Sequence, residues 1–268
     1  MKNFKAIDFH THAFPDELAG KAMHSLEEEA GGGYQAHGDG TIGSLLKSMD
    51  RAGIERSVIA SIATRPGQVD NIIKWSTRIQ SRRIIPFASI HPTSRDIPGR
   101  IERIKNAGLK GIKLQPFYQN FTIDDPAVFP LYEAIAASGL ILLFHAGFDL
   151  AFPDDLCSRP ARILKVHLAF PKLKIVAAHL GGYRAWEEVS ETLAGRPVYL
   201  ETSFSIREAE PALLKKILKK HSPDFFLFGT DYPWLDQKEE LDEWQKLKIP
   251  DDFKERILVK NAERLLNL

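Results

Sequence analysis

The sequence predicts one closed barrel of eight parallel strands, each followed by a helix: a (β/α)8, or TIM, barrel spanning residues 1–268 as a single domain. Three observations lead there. The chain has 268 residues, close to the roughly 250 that one such barrel uses. Eight short apolar runs recur along it, and they are continuously apolar, as strands buried on both faces of a parallel sheet are. Amphipathic helical stretches separate the runs, and that alternation builds βαβ units. No linker, charge block or short-period repeat divides the chain. No Gly-x-Gly-x-x-Gly follows the first strand, which removes the main mark of an open dinucleotide-binding sheet.

The runs fall at 4–9, 57–62, 84–90, 109–114, 140–144, 173–178, 198–202 and 225–228. A helix over 41–51 is closed by Gly53, the residue type that favours a left-handed C-terminal cap. The helix over 69–82 places Ile72, Ile73, Trp75 and Ile79 at helical spacings. Helices over 96–106 and 127–138 end before Gly108 and Gly139, and one over 161–170 is stopped by Pro171. Those over 186–193 and 209–220 precede Gly195 and Pro223, and 236–246 and 251–266 complete the set. Between the first strand and first helix lies an enlarged βα loop holding Glu27-Glu28-Glu29-Ala30-Gly31-Gly32-Gly33, a solvated segment suited to a lid.

Composition excludes several classes. Lys plus Arg (36) nearly cancels Asp plus Glu (35), so no global field points to nucleic acid or a membrane surface. No apolar run approaches the ~20 residues of a membrane span, and Asp8, His10 and His12 stand where the apolar core of a signal peptide would be. Cys157 is the single cysteine, so no internal disulfide forms and a reducing, cytoplasmic setting is expected. The expected partner is a small-molecule substrate; the outer helices would also allow a homo-oligomer.

The polar residues fall where barrel chemistry sits, at the C-terminal ends of strands. The first strand ends in His10-Thr11-His12, and side chains two apart on a strand share a face. Two imidazoles therefore converge, with Asp8 expected below them on the same face, as half of a divalent-metal site. His91, His145 and His179 end the third, fifth and sixth strands, and Asp231 ends the eighth in Gly229-Thr230-Asp231-Tyr232-Pro233-Trp234. Lys113 lies inside the fourth run, Gly111-Ile112-Lys113-Leu114, where a charge is costly unless paired or modified. His91 is expected to serve either as a neighbour of the site or in packing. His24 and His37 are expected to be solvated loop residues. His167 and His221 carry no assigned role, though His221 could favour a helix C-terminus.

The order His-x-His, Lys, His, His, Asp along strands one, four, five, six and eight resembles the amidohydrolase superfamily over essentially the whole chain. The finer similarity is to its amidohydrolase-related branch, which includes aminocarboxymuconate-semialdehyde decarboxylase and γ-resorcylate decarboxylase. Asp8-Phe9-His10-Thr11-His12, His179-Leu180-Gly181-Gly182 and Gly229-Thr230-Asp231-Tyr232-Pro233 carry it. The resemblance implies that His10, His12, His145 and Asp231 bind a metal. His179 would be an acid/base beside it, or a ligand of a second ion. In binuclear members a strand-four lysine is carbamylated and bridges two metals. Lys113 would do that here, or stay an ammonium that pairs with Asp231 or a substrate carboxylate.

Three imidazoles and a carboxylate suit Zn²⁺ first, with Mn²⁺ or Co²⁺ as alternatives. Such an ion lowers the pKa of bound water to about 7, so Asp231 and His179 could run hydrolysis of a small carboxylate-bearing amide, lactone or ester. Hydrolysis is the expected reaction; the alternative for the same residues is a non-oxidative decarboxylation, with His179 or Asp231 protonating carbon. Arg65, Lys113, Gln115, Tyr118 and Arg184 are the expected substrate contacts, the arginines because their geometry suits carboxylates. Tyr232 and Trp234 would wall the site or pack the rim. Two rivals stand beside these readings. A nuclease of the TatD type shares the His-x-His start but expects a carboxylate on strand four, where this chain has Lys113; a non-catalytic metal-binding barrel leaves His179 without a task.

Overall fold

The computed structural model describes residues 5–31, 35–152 and 155–268; Phe4 of the first expected strand and Gly32 and Gly33 of the expected loop lie outside the described residues. The Val-, Ile-, Leu- and Phe-rich runs become eight strands: β1 (Ala6–Thr11), β2 (Ile54–Ala60), β3 (Ile84–Phe87), β4 (Gly111–Leu114), β5 (Ile141–Phe144), β6 (Lys174–Ala177), β7 (Tyr199–Glu201) and β8 (Phe226–Leu227). They pair in parallel as β1-β2-β3 and as β4 through β8. Backbone bonds beyond the strand ends close both seams. Lys113 N donates to Ala88 O at 2.8 Å between β3 and β4, and Phe9 N donates to Phe228 O at 2.8 Å between β8 and β1. The ring is a (β/α)8 barrel.

Inside it, Ile7, Phe9, Val58, Phe87, Leu143, Val176 and Leu227 form a sealed apolar plug, with Phe9 edge-on to Phe87 at 5.7 Å. A larger apolar layer lies between strands and helices. Burying one Leu or Phe in either layer is worth about 1.5–3 kcal/mol. The polar site therefore rests on an apolar floor.

One local irregularity decides which side chains face inward. Asp8 pairs with Ser57 and Thr11 with Ile59, so three steps along β1 match two along β2. This extra residue is a β-bulge, and it breaks the alternation that an ideal strand would keep. Phe9 and His10 consequently both turn into the barrel. Asp8 does not share their face, contrary to the period-two expectation. It turns outward, where its Oδ2 accepts from Thr230 Oγ1 at 2.6 Å and from Gln237 Nε2 at 2.7 Å. Its role is to fasten β1 to the segment that carries Asp231, since its Oδ1 also accepts from Thr230 N. Burial pushes its carboxyl up to about 7.

The helices follow the expected order. Thr41 caps Ile42–Ala52 by accepting from Ser44 N, and Gly53 closes it at φ 74°. Asp96 caps Ile97–Asn106, and Asp236 caps Gln237–Lys246. The last helical stretch is interrupted by a π-turn over Arg256–Lys260. The first βα connection differs most from expectation: it contains a helix, α1 (Asp16–Glu29), on which only Ala19 and Met23 are fully buried. None of the helices among the described residues is long and apolar enough to cross a membrane.

Candidate active site

The C-terminal rim of the barrel gathers the strand-end residues around one cavity of about 850 Å³. One group of donors there is His10, His12 and Asp231. Asp231 Oδ1 lies 2.9 Å from His12 Nε2 and 3.4 Å from His10 Nε2. β1 and β8 are neighbours across the seam, and the chain there is tied by backbone bonds from Asp231 N to His10 O (2.7 Å) and from His12 N to Tyr232 O (2.6 Å). Asp231 sits at φ 61°, in the left-handed region that a non-glycine residue visits at a cost. His179 and Leu180 share that conformation at φ 58° and 55°. Strain of this kind at two strand ends marks places where side-chain position outweighs backbone comfort.

Lys113 enters the barrel, a point that its neighbours in the sequence left open. It is 1% exposed, and its Nζ donates to His10 Nε2 at 3.0 Å. Burial pulls the amine down to about 8, against attraction from Asp231, Glu201 and Asp149. Burial, and then Lys113, also hold His10 well below the usual imidazole range. Burial works against a charge on Asp231, but the surrounding imidazoles, His10 first, outweigh it and keep the group a carboxylate.

His179 and His145 form a second pair. His179 Nε2 lies 3.1 Å from His145 Nδ1, and His145 Nε2 donates to the Phe148 carbonyl at 3.0 Å. Both His145 nitrogens are thus engaged away from the His10–His12–Asp231 group. Burial lowers both rings from their ordinary values, His179 strongly. A carboxylate faces the pair: Asp149 Oδ2 is 3.7 Å from His145 Nε2 and accepts from Gln115 Nε2 at 2.8 Å.

Three polar residues of the site were not expected. Glu201 ends β7, wholly buried, with Oε2 2.8 Å from His10 Nδ1. Burial pushes its carboxyl up to about 8. Ser203 Oγ bridges Glu201 Oε2 (2.9 Å) and His179 Nδ1 (2.9 Å). Asp149 is the third. Glu201 was readable by the logic applied to Lys113, a charge closing an apolar run; Ser203 and Asp149 lie in loops whose paths the sequence does not reveal.

Among the expected substrate contacts, Arg65, Gln115 and Tyr118 line the cavity, as does Trp234. Arg65 has no carboxylate within ion-pair distance among the described residues. The Tyr118 hydroxyl is hydrogen-bonded to Glu29 at the end of α1, and burial drives its pKa upward. Arg184 does not reach the cavity: it is exposed, stacked over Tyr183 and 3.8 Å from Glu208. Tyr232 is buried packing, its hydroxyl 2.9 Å from Ser44 Oγ. His91 turns to its own loop, its Nδ1 2.9 Å from Thr93 Oγ1. His221 is no helix-end cation. It is buried, accepts from Gly195 N at 3.1 Å and donates to Phe225 O at 3.2 Å.

The donor set fits a divalent cation. Asp231 Oδ1 is buried, with His12 Nε2 at 2.9 Å and His10 Nε2 at 3.4 Å. Two imidazole nitrogens and a carboxylate oxygen gathered this closely are donors a divalent cation can take. The rest of the cavity is largely apolar, with Phe14, Trp75, Phe148 and Phe204 on its walls and Leu18 and Leu26 of α1 above.

A barrel with converging imidazoles, a carboxylate and a buried amine at its C-terminal rim is the framework of a metal-dependent enzyme. The amidohydrolase family model matches residues 7–268, and the chain belongs to that family. It is 22% identical over 228 residues to a dihydroorotase from Marinomonas sp. (strain MWYL1), across 71% of this chain and 65% of that protein. The chain thus spans somewhat less than two thirds of that relative. Among solved structures it is similar to an uncharacterised TIM-barrel protein from Bordetella bronchiseptica (TM-score 0.79, 22% identity, 98% of this chain and 99% of that one). It is also similar to the manganese-bound 5-carboxyvanillate decarboxylase of Novosphingobium aromaticivorans (TM-score 0.73, 13% identity, 99% and 97%). A 2,6-dihydroxybenzoate decarboxylase bound to 2,6-dihydroxybenzoate follows (TM-score 0.72, 16% identity, 98% and 99%). At these identities the structural likeness is one of fold.

Proposed function

We propose that this enzyme is a metal-dependent, non-oxidative decarboxylase of a small, flat carboxylic acid. The observation that carries the reading is Lys113. It is a buried cation beside His10 at the bottom of a cavity whose exposed lining is mostly apolar, with Phe14, Trp75, Phe148 and Phe204 among its walls, a place that suits a carboxylate on an apolar, planar body. The decarboxylases among the similar folds act on aromatic acids, which supports the same class. His10, His12 and Asp231 are the residues we assign to hold the ion, Zn²⁺ or Mn²⁺ by donor type. When bound, it would supply Lewis-acid polarisation of substrate oxygens.

The chain's own residues then have separable tasks. Lys113 Nζ binds and orients the carboxylate, and the aromatic walls hold the ring and exclude water. As the bond from ring carbon to carboxylate breaks, CO₂ leaves and the electron pair stays on carbon. His179, at the rim beside His145, is assigned to deliver the proton that replaces the carboxylate. Arg65, exposed at the mouth, is assigned to an anionic group on the outer end of the substrate.

Hydrolysis is the second reading. It is favoured by Asp231, a buried carboxylate at the rim that could take a proton from water, and by the dihydroorotase relative. The test is a panel of dihydroxybenzoates, carboxyvanillate, muconates, dihydroorotate and lactones offered to the metal-loaded protein, with CO₂ and ring-opened acid measured together. Release of CO₂ from one of the aromatic or unsaturated acids is expected. Ring opening without CO₂ from any member would replace decarboxylation with hydrolysis.

A further inference from the structure

The end of β7 and the loop that follows it contribute the side chains that connect the two histidine pairs. Glu201 Oε2 faces His10 Nδ1 at 2.8 Å and Ser203 Oγ at 2.9 Å, while Oε1 accepts from Ser203 N at 2.6 Å. Space is reserved for this carboxylate. A Cβ at Gly229 would fall 2.0 Å from Glu201 Oε1, and the Gly229 backbone is not left-handed, so close approach alone demands glycine there. His10, His179 and Glu201 lie close enough together to raise the question of a second ion. The 2.8 Å between His10 Nδ1 and Glu201 Oε2, with Ser203 Oγ 2.9 Å from the same oxygen and from His179 Nδ1, is a chain of hydrogen-bond lengths. The group is a clamp.

We propose that Glu201 is a positioning residue. It holds His10 as the Nδ1–H tautomer, which leaves Nε2, the atom beside Lys113, His12 and Asp231, as the unprotonated nitrogen, and through Ser203 it sets the ring of His179. This rests on the reading that His10, His12 and Asp231 hold the ion. A neutral imidazole carries one proton, and the partner of one nitrogen decides the state of the other. His10 is constrained from both sides. The Lys113 ammonium has only donors, so Nε2, at 3.0 Å, must accept; Nδ1 must then donate to Glu201. One strand-end carboxylate thus aligns a metal ligand and the proton-delivering histidine together.

Glu201→Gln tests it, because the substitution keeps size and removes one acceptor. The backbone N–H of Ser203 requires an oxygen at the Oε1 position, which leaves the amide NH₂ against His10 Nδ1. That nitrogen must then accept, and the His10 proton moves to Nε2, where it opposes a cation. Zn²⁺ affinity, read by chelator competition, is expected to fall 10- to 100-fold, with circular dichroism unchanged. In the metal-free protein, ¹⁵N chemical shifts should show His10 protonated at Nδ1, and at Nε2 in Glu201→Gln. Unchanged Zn²⁺ affinity in a folded Glu201→Gln protein would overturn the proposal. If that variant does not fold, the unsubstituted protein still decides: His10 protonated at Nε2 refutes the clamp. His12→Ala separates the two levels of the argument. If it loses Zn²⁺ while Glu201→Gln keeps it, the clamp alone fails; if both keep it, the metal reading fails too.

Discussion

Replacing Lys113 by Met should make the metal-free protein more stable and the enzyme worse. The amine is fully buried in the barrel and its pKa falls from 10.5 to about 8. At pH 7 it is protonated in both folded and unfolded chains, but the folded state holds the proton less tightly. The gap of about 2.5 pH steps, at about 1.4 kcal/mol each, comes to about 3.5 kcal/mol of native-state stability forgone, an upper figure. The sign then follows. Wild-type stability should climb as pH rises from about 8 through 10.5, where the unfolded chain retains a proton that the folded one has shed. Met is of similar length and carries no charge, so Lys113→Met should gain up to about 3.5 kcal/mol at pH 7 and lack that climb. Urea unfolding of the two proteins at pH 7 and pH 10, with metal removed, measures both. Activity should move the other way. A lost charge-assisted hydrogen bond of about 1.5–3 kcal/mol lowers kcat/KM roughly ten- to hundredfold. A Lys113→Met protein no more stable than wild type at pH 7, or fully active on the substrate identified by the panel, would refute the assignment of Lys113 as a cation kept in place for binding.

Other perturbations separate the site from its scaffold. His12→Ala and Asp231→Asn should each remove bound metal from a protein that remains folded, measured by elemental analysis after dialysis; full metal content in either variant would break the proposed ligand set. His221, whose pKa burial lowers to about 4, should make stability fall as pH drops from 6.5 to 4, by up to about 3 kcal/mol, because the unfolded chain takes a proton that the folded one refuses. Urea unfolding across that range should show the dependence flatten in His221→Gln. Gly229→Ala should destabilise by at least the 1–3 kcal/mol typical of overpacking, since its new methyl would meet Glu201 at 2.0 Å; a melting temperature equal to wild type would show that the carboxylate can move aside.

The barrel was legible because eight continuously apolar runs leave few alternatives, and the convergence of His10, His12 and Asp231 because strand ends of a barrel point to one rim. Three features resisted for physical reasons. The bulge in β1 cannot be read from residue types, so Asp8 was placed on the wrong face by an alternation that the chain does not keep. Helix α1 buries only Ala19 and Met23, so its periodicity is faint beside the acidic and glycine-rich run that follows. Glu201 closes a strand of three residues whose first, Tyr199, is half-buried, and so short a run draws attention to its apolar members. Arg184 illustrates the converse. Its motif neighbours His179, but the left-handed turn after that residue sends it outward, at φ 53°, toward Glu208.

The seam between β8 and β1 also has a consequence for how the protein comes to be. Asp8 and Thr230 are bonded across it although 222 positions apart in the chain, and the proposed ion-binding group is divided between its two sides. The imidazoles are made early in synthesis but wait for their carboxylate until nearly the whole polypeptide has left the ribosome. A partly made or proteolytically clipped chain offers only half a chelating set, and the completed ring would gain from the ion a clasp at the joint between its first and last strands.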